Sequence, residues 1–274
     1  MRAIVDKICE FIREKVREAG AKGAVVGVSG GVDSACTIAL CSRALGRSGV
    51  IALIMPDGEI TPESEVADAR EIATKHAGKT YEIDIAKILR AYTRAIPVFN
   101  ERDKVALGNL RARIRKDILY YFANSMGLLV VGTGDKSEAL LTYFTKHGDG
   151  GVDILPIGDL YKTEVRELAR FLGVPPHITN KPSTPTLWRG HTLEEEFMGM
   201  SYEQIDPILR KLFEEGRSPN MVAQELKVPV KKVLHLISMH RRGRHKLDMP
   251  PVCVLSPYPT LKLVERFRRK RWGR

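Results

Sequence analysis

Residues 23–34 read GAVVGVSGGVDS, and this stretch decides the fold that we predict. Its first half is small, apolar and β-branched, which is typical of a buried strand, and a helical pattern follows over 33–45. Gly30 and Gly31 lie at the junction, where glycine permits unusual dihedral angles and close approach of the backbone. The first amide groups of a helix are unpaired and stand at the positive end of its dipole. The junction therefore predicts a phosphate-binding loop.

Strands and helices alternate along the first half of the chain. Three further runs of apolar and β-branched residues predict strands at 49–56, 79–85 and 127–134. Helical patterns cover 1–19, 33–45, 61–77 and about 101–126. We predict Thr61 as the N-cap of the third helix and Pro62 as its first residue. Nearly continuous apolar strands in this order predict an α/β fold with a Rossmann-like, doubly wound parallel sheet.

The second half of the chain differs from the first after residue 147. A helix is predicted over YKTEVRELARFLG, which ends at Gly173, and a Pro- and Thr-rich segment without periodicity follows. We interpret this half as a helical cover on the carboxyl edge of the sheet, with 180–197 as a lid. A single domain is therefore predicted over 1–274, divided into a core (about 20–175), the cover and lid (about 176–255) and a basic tail (256–274).

The composition is that of a globular chain, with 274 residues of which 43% are hydrophobic. No apolar run reaches the roughly 18 residues of a membrane span, and the amphipathic start lacks the apolar centre of a signal peptide. We therefore expect a cytoplasmic protein without a membrane partner.

The four cysteines never form a CxxC pair, which argues against zinc. The net charge of +11 fits nucleic acid or a small molecule with several phosphates.

The phosphate loop differs from two well-known types. The pattern GxxxxGK[ST] does not occur in the sequence, so the lysine that holds the β- and γ-phosphates in kinases and GTPases is missing. The glycines at 27, 30 and 31 do not fit GxGxxG either. Instead, Ser29 and Ser34 offer hydroxyl groups, and Asp33 offers a hard oxygen ligand for Mg²⁺.

The segment SGGVDS at 29–34 resembles the signature of the PP-loop ATP pyrophosphatases, the N-type enzymes of the adenine nucleotide alpha hydrolase-like fold. The resemblance implies that ATP is cleaved to AMP and pyrophosphate. The AMP passes to a substrate oxygen, and a nitrogen or sulfur nucleophile then displaces it. ATP contacts are implied at Gly27, Val28, Ser29, Gly30, Gly31, Val32, Asp33 and Ser34. The loop does not name the substrate, because asparagine, argininosuccinate, GMP, lysidine and thiouridine synthesis all use one.

The block from 132 to 175 is similar to the corresponding block of the NAD synthetases. Its most specific element is FTKHGDGGVD at 144–153, which PP-loop enzymes with other substrates do not carry. With the later segments KPSTPTLWRGHTLEEEF, GMSYEQID and RHKLDMPP, the likeness covers about 22–250. It implies a ligase that uses ATP and ammonia to convert deamido-NAD into NAD, the last step of NAD biosynthesis. The nicotinate carboxylate is adenylated, ammonia attacks, and AMP leaves.

The same likeness implies roles for single residues. Asp33 and Glu138 would share Mg²⁺ with the pyrophosphate oxygens, and Lys162 would offset charge as pyrophosphate separates. Further ATP contacts are implied at Thr133 and Thr184. Deamido-NAD contacts are implied at Arg113, Lys146, Asp153, His245 and Lys246.

Other residues near the substrate follow from this likeness. Asp153 would orient ammonia or accept its proton, which makes it a fourth catalytic candidate. The GDGG glycines would let the chain pass close to the flat nicotinate ring. Arg111 and Arg115 are expected on a helix surface. The long helix before the fourth strand forms a twofold interface in the family, and its apolar YYF segment predicts a homodimer.

Two alternatives stay open. An RNA-modifying PP-loop enzyme would suit the charge, but such enzymes carry CxxC cysteines or an added RNA-binding domain. Neither is visible in the sequence, so we expect no nucleic acid partner. The second is a nucleotide-binding protein without activity, and the joint presence of Asp33, Glu138 and Lys162 argues against it. A glutamine-hydrolysing domain would precede the loop, which here follows a single helix. We therefore expect the nitrogen source to be free ammonia, or ammonia supplied by a partner protein.

Overall fold

A parallel sheet forms the centre of the molecule. The structure, a computed structural model, describes residues 1–183, residue 188 and residues 192–255. Within these ranges the sheet has four strands: β1 (Ala24–Gly27), β2 (Val50–Ile54), β3 (Lys79–Glu82) and β4 (Leu129–Val131). Their order is β3-β2-β1-β4, and all neighbours pair in parallel. The predicted strands and the doubly wound parallel sheet are confirmed.

The sheet reverses its direction of growth beside β1. The chain adds β2 and β3 on one side of β1 and then returns to add β4 on the other. Parallel sheets leave a crevice for ligands at the carboxyl ends of the strands where this reversal occurs. The segments that follow β1 and β4 both line such a crevice.

Helices cover both faces of the sheet. They are α1 (Arg2–Glu18), α2 (Val32–Leu45), α3 (Glu63–His76), α4 (Ala86–Ala95), α5 (Lys104–Met126), α6 (Lys136–Leu141) and α7 (Lys162–Phe171). Ala24 and Val26 of β1 pack with α1, α2, α3 and α7, whereas Val25 packs with α4 and α5. Successive strand residues point to opposite faces. Both faces are therefore buried, which explains the nearly continuous apolar strands.

The predicted helical cover consists of shorter elements. They are α8 (Pro176–Thr179), α9 (Leu193–Glu196), α10 (Tyr202–Leu209), a π-helical turn (Arg210–Glu214), α11 (Pro219–Glu225), α12 (Val230–Gly243) and a 3₁₀ turn (Arg244–Lys246). Their apolar side chains form a separate cluster that includes Leu141 and Tyr161. The cover is therefore anchored to the ends of α6 and α7. The division of one domain into core, cover and tail stays a prediction, and the basic tail lies outside the described residues.

The start of α3 differs from the prediction. The helix begins at Glu63 with Pro62 as its N-cap, so Thr61 as N-cap is wrong. The Thr61 hydroxyl instead accepts the N–H of Asp57 at 3.0 Å. It thereby closes the turn that follows β2, and this local bond competes with capping.

Two other helices also differ from the sequence pattern. The long helix α5 begins at Lys104 rather than near residue 101, because the Asp103 carboxylate caps it by accepting the N–H of Ala106. Helix α4 was not predicted from the sequence. Its apolar side faces the protein interior, where Leu89 is buried. None of the helices in the described part of the chain is long and apolar enough to cross a membrane.

Candidate active site

The loop between β1 and α2 is shaped by its own hydrogen bonds. The Ser34 hydroxyl donates to the Gly31 carbonyl (3.0 Å) and accepts the Ser29 N–H (3.2 Å). Gly30 has a φ of +83°, and a Cβ there would collide with the carbonyl oxygen of Glu65 on α3. Glycine is therefore required at residue 30 by the backbone and by the packing of α3.

The start of α2 leaves polar groups available to a ligand. Its N-cap is Gly31, which provides no side-chain capping bond. The amides of a first helical turn lack intrahelical partners and favour an anion. Asp33 lies in this first turn, and its carboxylate is 21% exposed toward the crevice. A phosphate and a cation could therefore bind side by side here.

Glu138 is positioned by a capping box at the start of α6. The Asp135 carboxylate accepts the Glu138 N–H (2.8 Å), and the Glu138 carboxylate accepts the Asp135 N–H (3.3 Å). Such reciprocal bonds satisfy two free N–H groups and hold both side chains in place. Helix α6 directly follows β4, so Glu138 reaches the same edge of the sheet as Asp33, as predicted.

Lys162 joins these groups. It is the first residue of α7, and its ammonium donates to Asp33 Oδ2 (2.7 Å) and Glu138 Oε1 (2.9 Å). It also pairs with Asp135 Oδ2 at 2.9 Å and lies 5.3 Å from the centre of the Tyr202 ring. The side chain is almost fully buried. The ammonium of α7 therefore contacts carboxylates from the starts of α2 and α6. An aromatic ring from the cover lies beside it.

The backbone of Lys162 is fixed as well. The Lys162 N–H donates to the Ser137 hydroxyl (2.9 Å), which in turn donates to Asp206 Oδ1 (2.6 Å). Asp206 Oδ2 accepts the N–H of Thr163 (2.9 Å). Asp206 belongs to α10, so the cover satisfies the free amides at the start of α7.

The three carboxylates around one ammonium carry an excess of negative charge. Burial raises the pKa of Glu138 to about 8 and that of Asp135 to about 6, although the Lys162 ammonium acts to lower both. Burial acts to lower the pKa of Lys162, but the three carboxylates raise it by more, so it lies well above its usual value. A further cation near Asp33 and Glu138 would relieve the excess charge.

The donor atoms at this point fit Mg²⁺. Asp33 Oδ1 is buried and has no hydrogen-bond partner within the described ranges. Carboxylate oxygens are the ligands that Mg²⁺ takes, and it commonly combines one or two of them with phosphate oxygens. No group of three or more His, Cys, Asp or Glu side chains among the described residues could hold a metal ion by itself. Asp33 and Glu138 would therefore share the ion with a bound phosphate.

These residues line a cavity of about 660 Å³ at the carboxyl edge of the sheet. A cavity of this size is in the range of small-molecule sites. The predicted contacts that reach it are Gly27, Val28, Ser29, Gly31, Val32, Asp33, Thr133, Glu138, Lys162 and Lys246. Gly30 and Ser34 instead shape the loop from behind. Thr184 lies outside the described residues.

Three of the predicted dinucleotide contacts meet away from the cavity wall. The Arg113 guanidinium donates to the Lys146 carbonyl (3.3 Å), and the Lys146 ammonium donates to the His245 carbonyl (2.7 Å). Arg113 and His245 are exposed. The structure therefore brings Arg113, Lys146 and His245 together on an open surface, and none of the three lines the cavity.

The remaining two predicted contacts also bind backbone groups. The Lys246 ammonium donates to the carbonyls of Thr142 (3.0 Å) and Phe144 (2.8 Å), so it holds the segment after α6. The Asp153 carboxylate accepts the Tyr120 hydroxyl (3.0 Å) and the Val130 N–H of β4 (2.8 Å). Asp153 is exposed and does not line the cavity.

The glycines of the GDGG turn are required by packing within the chain. A Cβ at Gly148 would collide with Thr145 and Ala112, and one at Gly150 would collide with the Phe144 ring. The space beside Gly148 and Gly150, which a Cβ would need, is therefore occupied by side chains of the protein itself. Their contact with a nicotinate ring stays a prediction.

The expectation that Arg111 and Arg115 lie on a helix surface is wrong. Arg111 is buried and pairs through Nε with the equally buried Asp57 Oδ2 at 2.6 Å. The Arg115 Nε donates to the Met55 carbonyl at 2.9 Å, and this side chain lines the cavity. Burial lowers the pKa of Arg115 to about 10. The loop after β2 packs against the part of α5 that carries Arg111 and Arg115, through Met55 and Asp57. These two arginines are therefore covered by the protein and do not face solvent.

The sequence reasoning did not find several residues of the site. Asp135 and Ser137 are buried polar partners of Lys162, and Tyr202 lies beside its ammonium. The buried Asp206 accepts hydrogen bonds from Ser137 and from the Thr163 N–H. A signal for Asp135 was present, because Asp followed three residues later by Glu before an apolar run is a capping box. The other three depend on how the cover packs. Tyr202 and Asp206 lie in GMSYEQID, which the family resemblance included without assigning either residue a role.

Fold and site together define a class. A parallel Rossmann-like sheet, an SGGVDS loop between β1 and α2, and carboxylates beside a buried lysine are the parts of a PP-loop nucleotide-binding protein.

The comparisons with known proteins give the family. The NAD synthase family matches residues 4–250, so the chain belongs to the NAD synthase family. A protein from Staphylothermus marinus called NH(3)-dependent NAD(+) synthetase is 50% identical over 245 residues, which are 89% of this chain and 88% of that one. A protein of the same name from Hyperthermus butylicus is 48% identical and covers 98% of this chain and 94% of its own length.

Solved structures share the fold. The structure of NMN synthetase from Francisella tularensis superposes with a TM-score of 0.80 at 30% identity, covering 92% of this chain and 98% of that one. The NH3-dependent NAD synthetase from Campylobacter jejuni, in complex with a nitrate ion, superposes with a TM-score of 0.76 at 31% identity and the same coverage.

Proposed function

We propose that this chain joins ammonia to the nicotinate carboxylate of deamido-NAD, at the expense of ATP, to give NAD, AMP and pyrophosphate. One observation carries the proposal. Asp33, Glu138 and Lys162 come from three separate helices, and the Lys162 ammonium lies 2.7 and 2.9 Å from the other two at the mouth of the phosphate loop. The arrangement can hold a triphosphate with a cation on one side and an ammonium within reach.

In the proposed first step, the nicotinate carboxylate attacks the α-phosphorus of ATP, and pyrophosphate leaves. The amides at the start of α2 bind the leaving pyrophosphate. Lys162 stabilises the charge that develops as the bond breaks. Mg²⁺ held by Asp33 and Glu138 would supply Lewis-acid stabilisation of the phosphate oxygens when bound.

In the proposed second step, ammonia attacks the adenylated carboxyl group, and AMP leaves with an amide formed. No protein nucleophile is required, so the residues act by positioning and by charge. Asp153 is the candidate to orient ammonia or to take its proton. For that role it would exchange its present bonds to Tyr120 and Val130 for substrate.

The dinucleotide would bind where Arg113, Lys146 and His245 meet. Exposed apolar side chains occur on α4, on α5 and on the segment between them: Tyr92, Val98, Phe99, Val105 and Tyr121. Val98 and Tyr121 are 88% and 71% exposed, and exposed apolar side chains of this size are common where two proteins meet. We therefore propose a homodimer through α5, in which the partner subunit covers the open side of the dinucleotide site.

A second candidate substrate is the corresponding mononucleotide acid, because the Francisella tularensis structure is that of an NMN synthetase. The chemistry at the carboxylate would be the same for both substrates. Only contacts with the far nucleotide would differ, and Arg113, Lys146 and His245 are the candidates to make them. We favour the dinucleotide because the relatives at 48–50% identity are NAD(+) synthetases. We also place the enzyme in the cytoplasm, where ATP is supplied.

The proposal is tested by incubating the purified chain with ATP, Mg²⁺, ammonium and either deamido-NAD or the deamido mononucleotide. NAD, AMP and pyrophosphate are expected in equal amounts. ADP as the nucleotide product would contradict the mechanism, and faster amidation of the mononucleotide would contradict the substrate. Replacing ammonium with glutamine should stop the reaction.

Two variants test the metal assignment in the same assay. Asp33→Asn and Glu138→Gln should each lower kcat by about 100-fold or more, because each removes an oxygen charge from the cation. Glu18→Gln is a matched control on the exposed surface of α1, where Glu18 pairs with Lys15. Near wild-type turnover in either site variant would rule out that residue as a ligand.

A further inference from the structure

The three carboxylates around Lys162 are not equivalent. The side chains of Asp33 and Glu138 are 21% and 25% exposed, and both line the cavity. The Asp135 side chain is completely buried and does not line the cavity. An ion or a phosphate that enters the cavity can therefore reach two of the three carboxylates, and the third lies behind the ammonium.

Both oxygens of Asp135 are already engaged from within the protein. Oδ1 accepts the N–H of Glu138 at 2.8 Å, and Oδ2 lies 2.9 Å from the Lys162 ammonium. Asp135 therefore connects the start of the helix that carries Glu138 with the side chain of Lys162. The contact of Asp135 Oδ2 is an ion pair, because that oxygen, like Asp33 Oδ1, is buried without a hydrogen-bond partner in the described part of the chain.

These differences imply a division of roles when substrate binds. A divalent cation between Asp33 and Glu138 would attract both carboxylates more strongly than the ammonium does, and it would repel the ammonium at close range. Lys162 would then lose two of its three carboxylate partners. A long lysine side chain without a partner samples many rotamers, so the remaining contact decides where the ammonium points.

We propose that Asp135 is a positioning residue that keeps the Lys162 ammonium at the phosphate loop after Asp33 and Glu138 have turned to the cation. Asp135 is not itself a ligand of that cation. This inference rests on the proposed adenylation of a carboxylate, because it assigns Lys162 a role in stabilising the leaving pyrophosphate. It goes beyond that proposal by giving Asp135 a role in the reaction in addition to its helix cap.

The test uses Asp135→Asn in the full chain. Asparagine is as good an N-cap as aspartate, so the bond to the Glu138 N–H is kept while the charge toward Lys162 is lost. The matched control is Asp103→Asn, the same change at the N-cap of α5, where Asp103 accepts the N–H of Ala106. Both variants are first compared with the wild type by thermal unfolding.

Two measurements distinguish positioning from metal binding. The first is Mn²⁺ binding, followed by electron paramagnetic resonance in the presence of a non-hydrolysable ATP analogue. Asp135→Asn should bind Mn²⁺ within about 3-fold of the wild type, whereas Asp33→Asn should weaken binding at least about 10-fold. The second is steady-state kinetics, where Asp135→Asn should lower kcat by about 10- to 100-fold with little change in the KM for ATP. Asp103→Asn should change neither.

A double-mutant cycle with Lys162→Gln tests whether Asp135 acts through the lysine. Asp135→Asn should lower kcat strongly in the wild type but by less than about 2-fold in the Lys162→Gln background. If Asp135→Asn does not fold, Asp135→Ser replaces it, since serine also caps a helix.

Three outcomes would overturn the inference: loss of Mn²⁺ affinity in Asp135→Asn comparable to that of Asp33→Asn, unchanged kcat, or full additivity in the cycle. A failure of the proposed function is recognised separately, because the wild type itself would then make no NAD. The Mn²⁺ titration would still report whether Asp135 is a ligand.

Discussion

The Lys162 ammonium lies 2.7 Å from the Asp33 carboxylate, although 129 residues separate the two along the chain. Asp33 belongs to the first turn of α2 and Lys162 to the first turn of α7. Both helices begin at the carboxyl edge of the sheet, so their first side chains converge there. This pair fixes the centre of the site and gives the first prediction.

Lys162→Met should lower both activity and stability. It removes the ammonium from three carboxylates, and breaking a buried ion pair from one side costs roughly 3–5 kcal/mol of unfolding free energy. The loss should also depend on pH. Lys162 lowers the pKa of Glu138 and of Asp135, so in the variant the pKa of each in the folded state rises further above its unfolded value.

The sign of the pH effect follows from linkage. A carboxyl group with a raised folded-state pKa takes up a proton more readily in the folded protein, so the fold gains stability as the pH falls through that pKa. The pKa of Glu138 is already about 8 in the wild type, so Asp135, with a wild-type pKa of about 6, should make the deficit of Lys162→Met shrink between pH 8 and 6 in denaturant titrations. A deficit that grows over this range would show that the carboxylates are not the groups left unpaired.

Gly30→Ala should destabilise the protein more than an alanine at another glycine with positive φ. Residue 30 combines a φ of +83° with a collision against Glu65, whereas Gly173, with a φ of +75°, has no atom within 4 Å of the point that a Cβ would occupy. Gly173→Ala should cost about 1 kcal/mol for the backbone alone. Gly30→Ala should exceed that by about 1–3 kcal/mol and should weaken ATP binding, as measured by denaturation and calorimetry. Equal losses of unfolding free energy in the two variants would mean that α3 can shift away from residue 30 without cost.

The buried pair of Asp57 and Arg111 should contribute far more to stability than a surface pair. Arg111→Met leaves Asp57 charged and fully buried, which should cost about 3 kcal/mol or more. Arg70 also pairs with two glutamates but is 47% exposed, and Arg70→Met should cost less than about 1 kcal/mol. Chemical denaturation of both variants measures the difference, and similar small losses would contradict the burial of Arg111.

Tyr121→Arg should convert the proposed dimer into a monomer. Tyr121 is 71% exposed and lies on α5, the helix proposed to form the interface, so a charge there would remain unpaired in that interface. Sedimentation velocity of wild type and variant checks this, with Tyr92→Arg as a second variant on α4. A wild type that sediments as a monomer at micromolar concentration would contradict the dimer.

Much of the site could be predicted because its signals are local. A strand, two glycines and a helix start within twelve residues define the phosphate loop, and strands of a parallel sheet all end at one edge. That rule brings Asp33 and Glu138 to the same crevice without any knowledge of packing. The resemblance to a known family was needed to single out Glu138 and Lys162, because Glu138 by itself looks like an ordinary surface residue of a helix.

The rest depends on contacts between distant segments. Asp206 and Tyr202 reach the site because α10 packs against α6 and α7. The family resemblance included their segment, GMSYEQID, but it assigned neither residue a role. Arg111 looked like a solvated helix residue because its partner, Asp57, lies in a turn 54 residues earlier. The lysine was expected to face phosphate and in the structure pairs with carboxylates, since buried charges must find partners within the chain.

The central claim is that the carboxylate of the substrate is adenylated in the cavity beside Asp33, Glu138 and Lys162. The most direct measurement uses deamido-NAD labelled with ¹⁸O in both carboxylate oxygens, with mass spectrometry of the products of a complete reaction. Attack on the α-phosphorus transfers one labelled oxygen to phosphate, so the account predicts one ¹⁸O in AMP and one in the amide of NAD. Label in inorganic phosphate, or AMP without label, would contradict it.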